Sequence, residues 1–186
     1  MVGPEQKKDN AYMKQALAQA RKAVKYDEVP VGAVLVDSEG VVVARACNQT
    51  IKKNSPLAHA ESLVIQRAAK KLGDWRLDGY TLYVTLEPCA LCMQLIIMSR
   101  VSRLIYGASS PLYGFTVDNY CKFDVARIPL VIEKGVRAYE VELLMKQFFQ
   151  EKRRRLDGAK TVNKTRAGKS KKGIALEKGR SGRTAQ

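Results

Sequence analysis

Tyr12, Ala16, Leu17, Ala20 and Val24 return every three or four positions through a stretch otherwise rich in lysine, glutamine and arginine. That spacing predicts an amphipathic first helix ending near Tyr26, ahead of the turn at "DEVP". The period then changes. "VGAVLVD" and "VVVARAC" are β-rich runs, and the "SEG" between them offers a glycine for the awkward backbone angle of a hairpin turn, so the two are expected as antiparallel neighbours. A polar loop, "NQTIKKNSP", leads to a helix over about Ala58–Lys71, with Leu63, Val64 and Ala68 on its buried side. "TLYVTL", "CALCMQLIIMS" and "RLIYGA" follow as strand, helix and strand, a crossover unit that implies parallel pairing. Ser109–Asn119, with Pro111 and Gly114, predicts a long irregular loop. A last strand is expected near Leu130–Glu133 and a closing helix over Tyr139–Arg155.

Length and composition fit this α/β reading. A chain of 186 residues, 46% hydrophobic, can bury an ordinary core as one domain with an extension. No apolar run approaches the roughly 20 residues of a membrane span. Four cysteines and a first stretch without an apolar segment of signal-peptide length point to a reducing cytoplasm, where a Cys-x-x-Cys serves metal binding or catalysis more often than a disulfide. The net charge of +15 is concentrated at one end: Glu151–Gln186 holds 13 Lys and Arg against 3 Asp and Glu. That favours a polyanionic partner, nucleic acid first, although a solvated tail that merely aids solubility reads the same way. Residues 1–155 are expected to form the domain and residues 156–186, poor in large apolar groups, a basic and disordered tail.

The chemistry concentrates in two motifs. "LEPCALCM" alone can be half of a structural zinc site, a redox pair, a catalytic ligand pair or two unrelated thiols. The chain has one histidine, His59, in "AHAE", which excludes a two-Cys two-His finger. A four-Cys site would need Cys47 and Cys121, neither of which belongs to a second Cys-x-x-Cys, and both read as small buried or incidental residues. His59, Cys89 and Cys92 remain, and three protein ligands suit a catalytic zinc because the fourth position stays open to water. Cys89 and Cys92, three apart behind Pro88, put both sulfurs on one face of a first helical turn, where free N–H groups favour thiolates. Glu61, two residues past His59, need not bind the metal and can move protons beside it. Each residue has a duller reading by itself, but His-x-Glu followed by Pro-Cys-x-x-Cys is the signature of zinc deaminases.

With these motifs in place, the chain resembles the cytidine deaminase-like superfamily and, within it, the bacterial tRNA-specific adenosine deaminases. "VPVGAVLV", "AHAE", "DWRLDGYTLYVTLEPCALCMQLIIMSRVSRLIYGA" and "LLMKQFFQEKRR" match that pattern in order, over roughly Ala11–Arg155. The resemblance implies a three-layer α/β/α sandwich with a mixed five-stranded sheet, assembled as a homodimer. It implies one zinc per subunit held by His59, Cys89 and Cys92, proton transfer by Glu61, and hydrolytic deamination of the wobble adenosine of a tRNA anticodon stem-loop to inosine. Asn48 matches the asparagine that holds the flipped-out nucleoside, beside a plain reading as a turn residue after a strand. Phe148, Phe149 and Lys152–Arg155 on the last helix suit stacking on loop bases and pairing with phosphates, and a core stripe through Leu144 and Phe148 is as good a reading for one of the phenylalanines.

One stretch departs from the pattern. The family commonly carries Arg-Asp-x-Lys-x-Gly after the "YGA" strand, and this chain has Ser109-Ser110-Pro111-Leu112-Tyr113-Gly114. Two alternatives therefore stand beside the tRNA reading: a deaminase of a free nucleobase or nucleotide, of cytosine or guanine type, with the same zinc chemistry, and a non-catalytic RNA-binding protein with structural zinc.

Overall fold

A computed structural model describes residues 3–117 and 129–177, with side chains of the last helix through residue 157. Helix α1 (Pro4–Val24) leads into strands β1 (Gly32–Val36) and β2 (Val42–Cys47), helix α2 (Ala60–Leu72), strand β3 (Thr81–Leu86), helix α3 (Ala90–Met98), strands β4 (Arg103–Ala108) and β5 (Val131–Lys134), and helix α4 (Ala138–Glu177). The strands form one sheet in the order β2-β1-β3-β4-β5, with β1 antiparallel to both neighbours and β3, β4 and β5 parallel. This is the mixed five-stranded sheet expected, and the strand–helix–strand unit gives the parallel pair that its crossover requires.

Side-chain alternation explains the layers. Ala33 and Leu35 of β1, Leu82 and Val84 of β3, and Leu104 and Tyr106 of β4 point to one face, where they pack with Leu63, Val64 and Ala68 of α2 and Met93 and Ile96 of α3. The intervening Val34, Val36, Tyr83 and Ile105 point to the other, against Met13 and Ala16 of α1. Because both faces are covered, these strands are apolar at nearly every position rather than at every second one. Each fully buried Leu, Ile or Met here contributes about 1.5–3 kcal/mol. Val141, near the start of α4, joins Leu17 and Ala108 on the α1 side.

The hairpin closes as the sequence predicts. Gly40 takes φ +85°, and the Asp37 carboxylate accepts the N–H groups of Glu39 and Val41 at 3.0 and 2.8 Å. Helix α2 begins two residues later than expected, since His59 has extended backbone angles and stands as its N-cap. The closing helix does not stop at Arg155. Its backbone continues to Glu177, where disorder was expected from residue 156; no proline interrupts the chain after Pro129, so nothing in that stretch forbids helix. The chain divides into two units, Met1–Lys146 and Gln147–Gln186. Cys121 and the end of the Ser109–Asn119 loop lie outside the described residues. Among those described, no helix is long and apolar enough to cross a membrane.

Candidate active site and metal centre

The site lies where β2, β3 and β4 end. Gly32 pairs with Cys47 and Leu86 with Ala108, so the carboxyl ends of these three strands share one edge of the sheet, the edge at which open α/β sheets bind ligands. His59 reaches it through the loop after β2, and Cys89 directly after β3. Both serve as helix N-caps, with φ/ψ of −71°/155° and −72°/167°. Cys92 follows in the first turn of α3, fully buried.

The three ligand atoms converge. His59 Nδ1 lies 3.6 Å from Cys89 Sγ and 3.4 Å from Cys92 Sγ, and all three lie within 4.8 Å of one another. Zinc bonds of roughly 2.1 Å to nitrogen and 2.3 Å to sulfur at a tetrahedral angle would separate N and S by about 3.6 Å, so the spacing fits the ion. The protonation pattern fits as well. The Cys92 thiol donates to the Cys89 sulfur, which with help from His59 holds Cys89 down to about 4, and the same bond together with burial pushes Cys92 well up. Two sulfurs thus share one proton that a cation can replace. His59 is raised, chiefly by its bond to Cys89, with the charges of Glu61 and Cys89 adding and burial opposing.

Glu61 occupies the first turn of α2 and is 4% exposed. Burial pushes its carboxyl up to about 7, against the opposing effects of its own backbone N–H and of His59. Asn48, also buried, follows β2, and its backbone N–H donates to Val31 C=O at 2.9 Å. The next residue, Gln49, donates its N–H to Ala58 C=O at 3.0 Å. That bond joins the residue after Asn48 to the residue before His59, closing the loop between them at its base. Cys47 is buried at the end of β2.

Two acids that sequence reasoning passed over also build this edge. Glu28, 1% exposed, accepts from Asn48 Nδ2 at 3.2 Å and from the Lys52 N–H at 2.8 Å. Glu87, in the "LEPC" motif itself, accepts the Ser110 and Thr116 N–H groups at 2.9 and 3.0 Å and the Thr116 hydroxyl at 2.6 Å. Gly114 packs on this carboxylate so closely that a Cβ there would overlap it, which accounts for a glycine at that position. Leu112 and Tyr113, at the tip of the same loop, are 78% and 75% exposed. Neither acid carries a local sequence signal, since their hydrogen-bond partners lie 20 to 29 residues further along the chain.

On α4, Phe148 and Phe149 meet edge to face at 5.2 Å, with the Lys152 ammonium 5.5 Å over Phe148. Phe148 is buried and Phe149 is 39% exposed, so the apolar-stripe reading suits Phe148 and only Phe149 offers a ring to solvent. Arg155 pairs with Glu151 one turn earlier.

Comparison with known proteins agrees with this geometry. The family model for the cytidine and deoxycytidylate deaminase zinc-binding region matches residues 6–108. The tRNA-specific adenosine deaminase of Bacillus subtilis (strain 168) is 41% identical over 154 residues, covering 82% of this chain and 95% of that protein. That of Agrobacterium fabrum is 43% identical over 145 residues, covering 76% and 94%. A solved structure from studies of A-to-I editing by tRNA:A34 deaminases at the wobble position of transfer RNA superposes with a TM-score of 0.64 at 40% identity, over 72% of this chain and 98% of that one. Guanine deaminase from Nitrosomonas europaea, at 22% identity over 80% of this chain and 85% of its own and a TM-score of 0.67, shares the fold alone.

Proposed function

This chain belongs to the bacterial tRNA-specific adenosine deaminases of the cytidine deaminase-like superfamily, and on that premise we propose that it hydrolyses the wobble adenosine of a tRNA anticodon stem-loop to inosine and ammonia. The observation that carries the reading is the convergence of His59, Cys89 and Cys92 beside an unligated, buried Glu61. These three would hold one zinc per subunit, which when bound supplies Lewis-acid activation of water for attack on the amino-bearing carbon.

The chain's own residues do the rest. Glu61 takes one proton of the attacking water and delivers it to the ring nitrogen, then takes the second from the hydroxyl now on the attacked carbon and passes it to the amino group, which leaves as ammonia as the carbonyl forms. Asn48 holds the flipped-out nucleoside against the edge of the sheet. Phe149 and the cations of Lys152–Arg155 are suited to stack on loop bases and to pair with phosphates of the RNA. Residues 1–155 carry the reaction and residues 156–186 supply a basic extension for the RNA backbone. A homodimer in the cytoplasm completes the reading, the dimer supported by Leu91 and Met98 on α3, one apolar stripe left 52% and 63% exposed.

The Ser109–Gly114 loop keeps a free nucleobase deaminase in view as the second reading. Ammonia release and inosine formation, measured on an anticodon stem-loop and on free adenine, guanine and cytosine, separate the two; turnover of free bases alone would overturn the tRNA assignment. Glu61→Gln in the same assay should keep zinc content and fold while lowering turnover by at least about a thousandfold. Retained activity would leave Glu61 without the proton role.

A further inference from the structure

Glu28 is a buried acid without a cation. At 1% exposure its carboxylate meets only neutral groups, the Asn48 side-chain amide and the Lys52 backbone N–H, and no ion pair forms with it among the described residues. The Lys52 ammonium instead lies 4.2 Å over the Tyr26 ring. Taking a carboxylate out of water costs far more than taking out an amide, and a glutamine or an apolar side chain would fill the same volume.

A carboxylate does one thing a glutamine does not. Both its oxygens accept and neither donates, so any amide facing it must present its NH2 end. Asn48 is held that way round, with Nδ2 on Glu28 Oε2, while its Oδ1 meets only the Thr50 hydroxyl at the long distance of 3.5 Å. One N–H and one carbonyl therefore remain at defined places. A purine carries acceptor ring nitrogens and an exocyclic amino donor, and an asparagine with its amide reversed would present the opposite pattern to it.

We infer that Glu28 is a positioning residue: by accepting from Asn48 and from the Lys52 N–H it fixes the amide orientation that reads the bound nucleoside and pins the loop running from Asn48 to His59. This rests on the assignment of Asn48 as the residue that holds the substrate. Glu28 itself does not touch the reacting atoms.

Glu28→Gln tests it, because a glutamine meets Asn48 equally well in either orientation. On the anticodon stem-loop, KM should rise about tenfold, with kcat within about twofold and zinc content unchanged. In an Asn48→Ala background the same substitution should change KM less than about twofold. An unchanged KM in the single variant, or a full tenfold change in the Asn48→Ala background, would overturn the role. If Asn48→Ala alone leaves kcat/KM untouched, the failure lies instead in the assignment of Asn48. Should Glu28→Gln lose its fold, the unmutated protein still decides the matter by NMR: one set of Asn48 side-chain amide resonances, with one proton shifted downfield, is expected, and two sets would refute the fixed orientation.

Discussion

At the scale of single residues, what was legible was what chemistry makes scarce. One histidine, one Cys-x-x-Cys and a glutamate two places past the histidine left a single three-ligand set, and the structure brings those atoms to within 4.8 Å. Glu28 and Glu87 were not legible, because a buried carboxylate that bonds backbone N–H groups of loops more than 20 residues away leaves no local pattern. The Glu87 carboxylate also makes Gly114 a sensitive position. Gly114→Ala places a methyl group against it and should cost about 1–3 kcal/mol of stability. That corresponds to a fall in Tm of roughly 2–4 °C per kcal/mol for a chain of this size, readable by thermal denaturation, with zinc content retained because neither residue is a ligand.

At the scale of elements, periodicity located every described strand and helix and erred at their ends. The start of α2 was misplaced because His59 uses extended angles to reach the site, and the end of α4 because composition signals burial rather than helix termination. A second element-scale feature was invisible in the sequence. Asp9 of α1 accepts the Tyr83 hydroxyl of β3 at 2.7 Å and a two-pronged bond from Arg103 of β4, which also reaches Glu133 of β5. Burial and the Asp9 hydrogen bond raise the Tyr83 hydroxyl far above its usual range. Its sign follows from linkage: the folded protein keeps this proton where the unfolded chain loses it, so the stabilisation is complete below about pH 10 and declines as pH rises beyond. Urea denaturation between pH 8 and 11 should show the native protein losing stability faster than Tyr83→Phe, which starts about 1 kcal/mol lower at pH 8; parallel slopes would show that Tyr83 does not carry the effect.

At the scale of the whole molecule, charge and chemistry occupy different parts of the chain. The zinc-ligating residues, Glu61 and Asn48 all precede residue 93, whereas Glu151–Gln186 supplies +10 of the net +15. Truncation after Arg155 should therefore weaken stem-loop binding and flatten its dependence on salt, by about 0.7 in the log–log slope for each single-strand phosphate that is no longer neutralised. Zinc content and kcat at saturating RNA should stay as they are. Binding titrations across a range of salt concentrations provide the measurement, and an unchanged slope would reduce the extension to a solubilising role.

The loop held by Glu87 carries a consequence for how such an enzyme can be altered. Its anchors are backbone N–H groups at Ser110 and Thr116, the Thr116 hydroxyl and the bare face of Gly114, while Pro111, Leu112 and Tyr113 lie exposed between them. The tip is therefore an interchangeable part on a fixed mount. Substitutions at these three positions should leave His59, Cys89 and Cys92 undisturbed, so the tip can be varied as a unit while zinc content and the mount on Glu87 are retained.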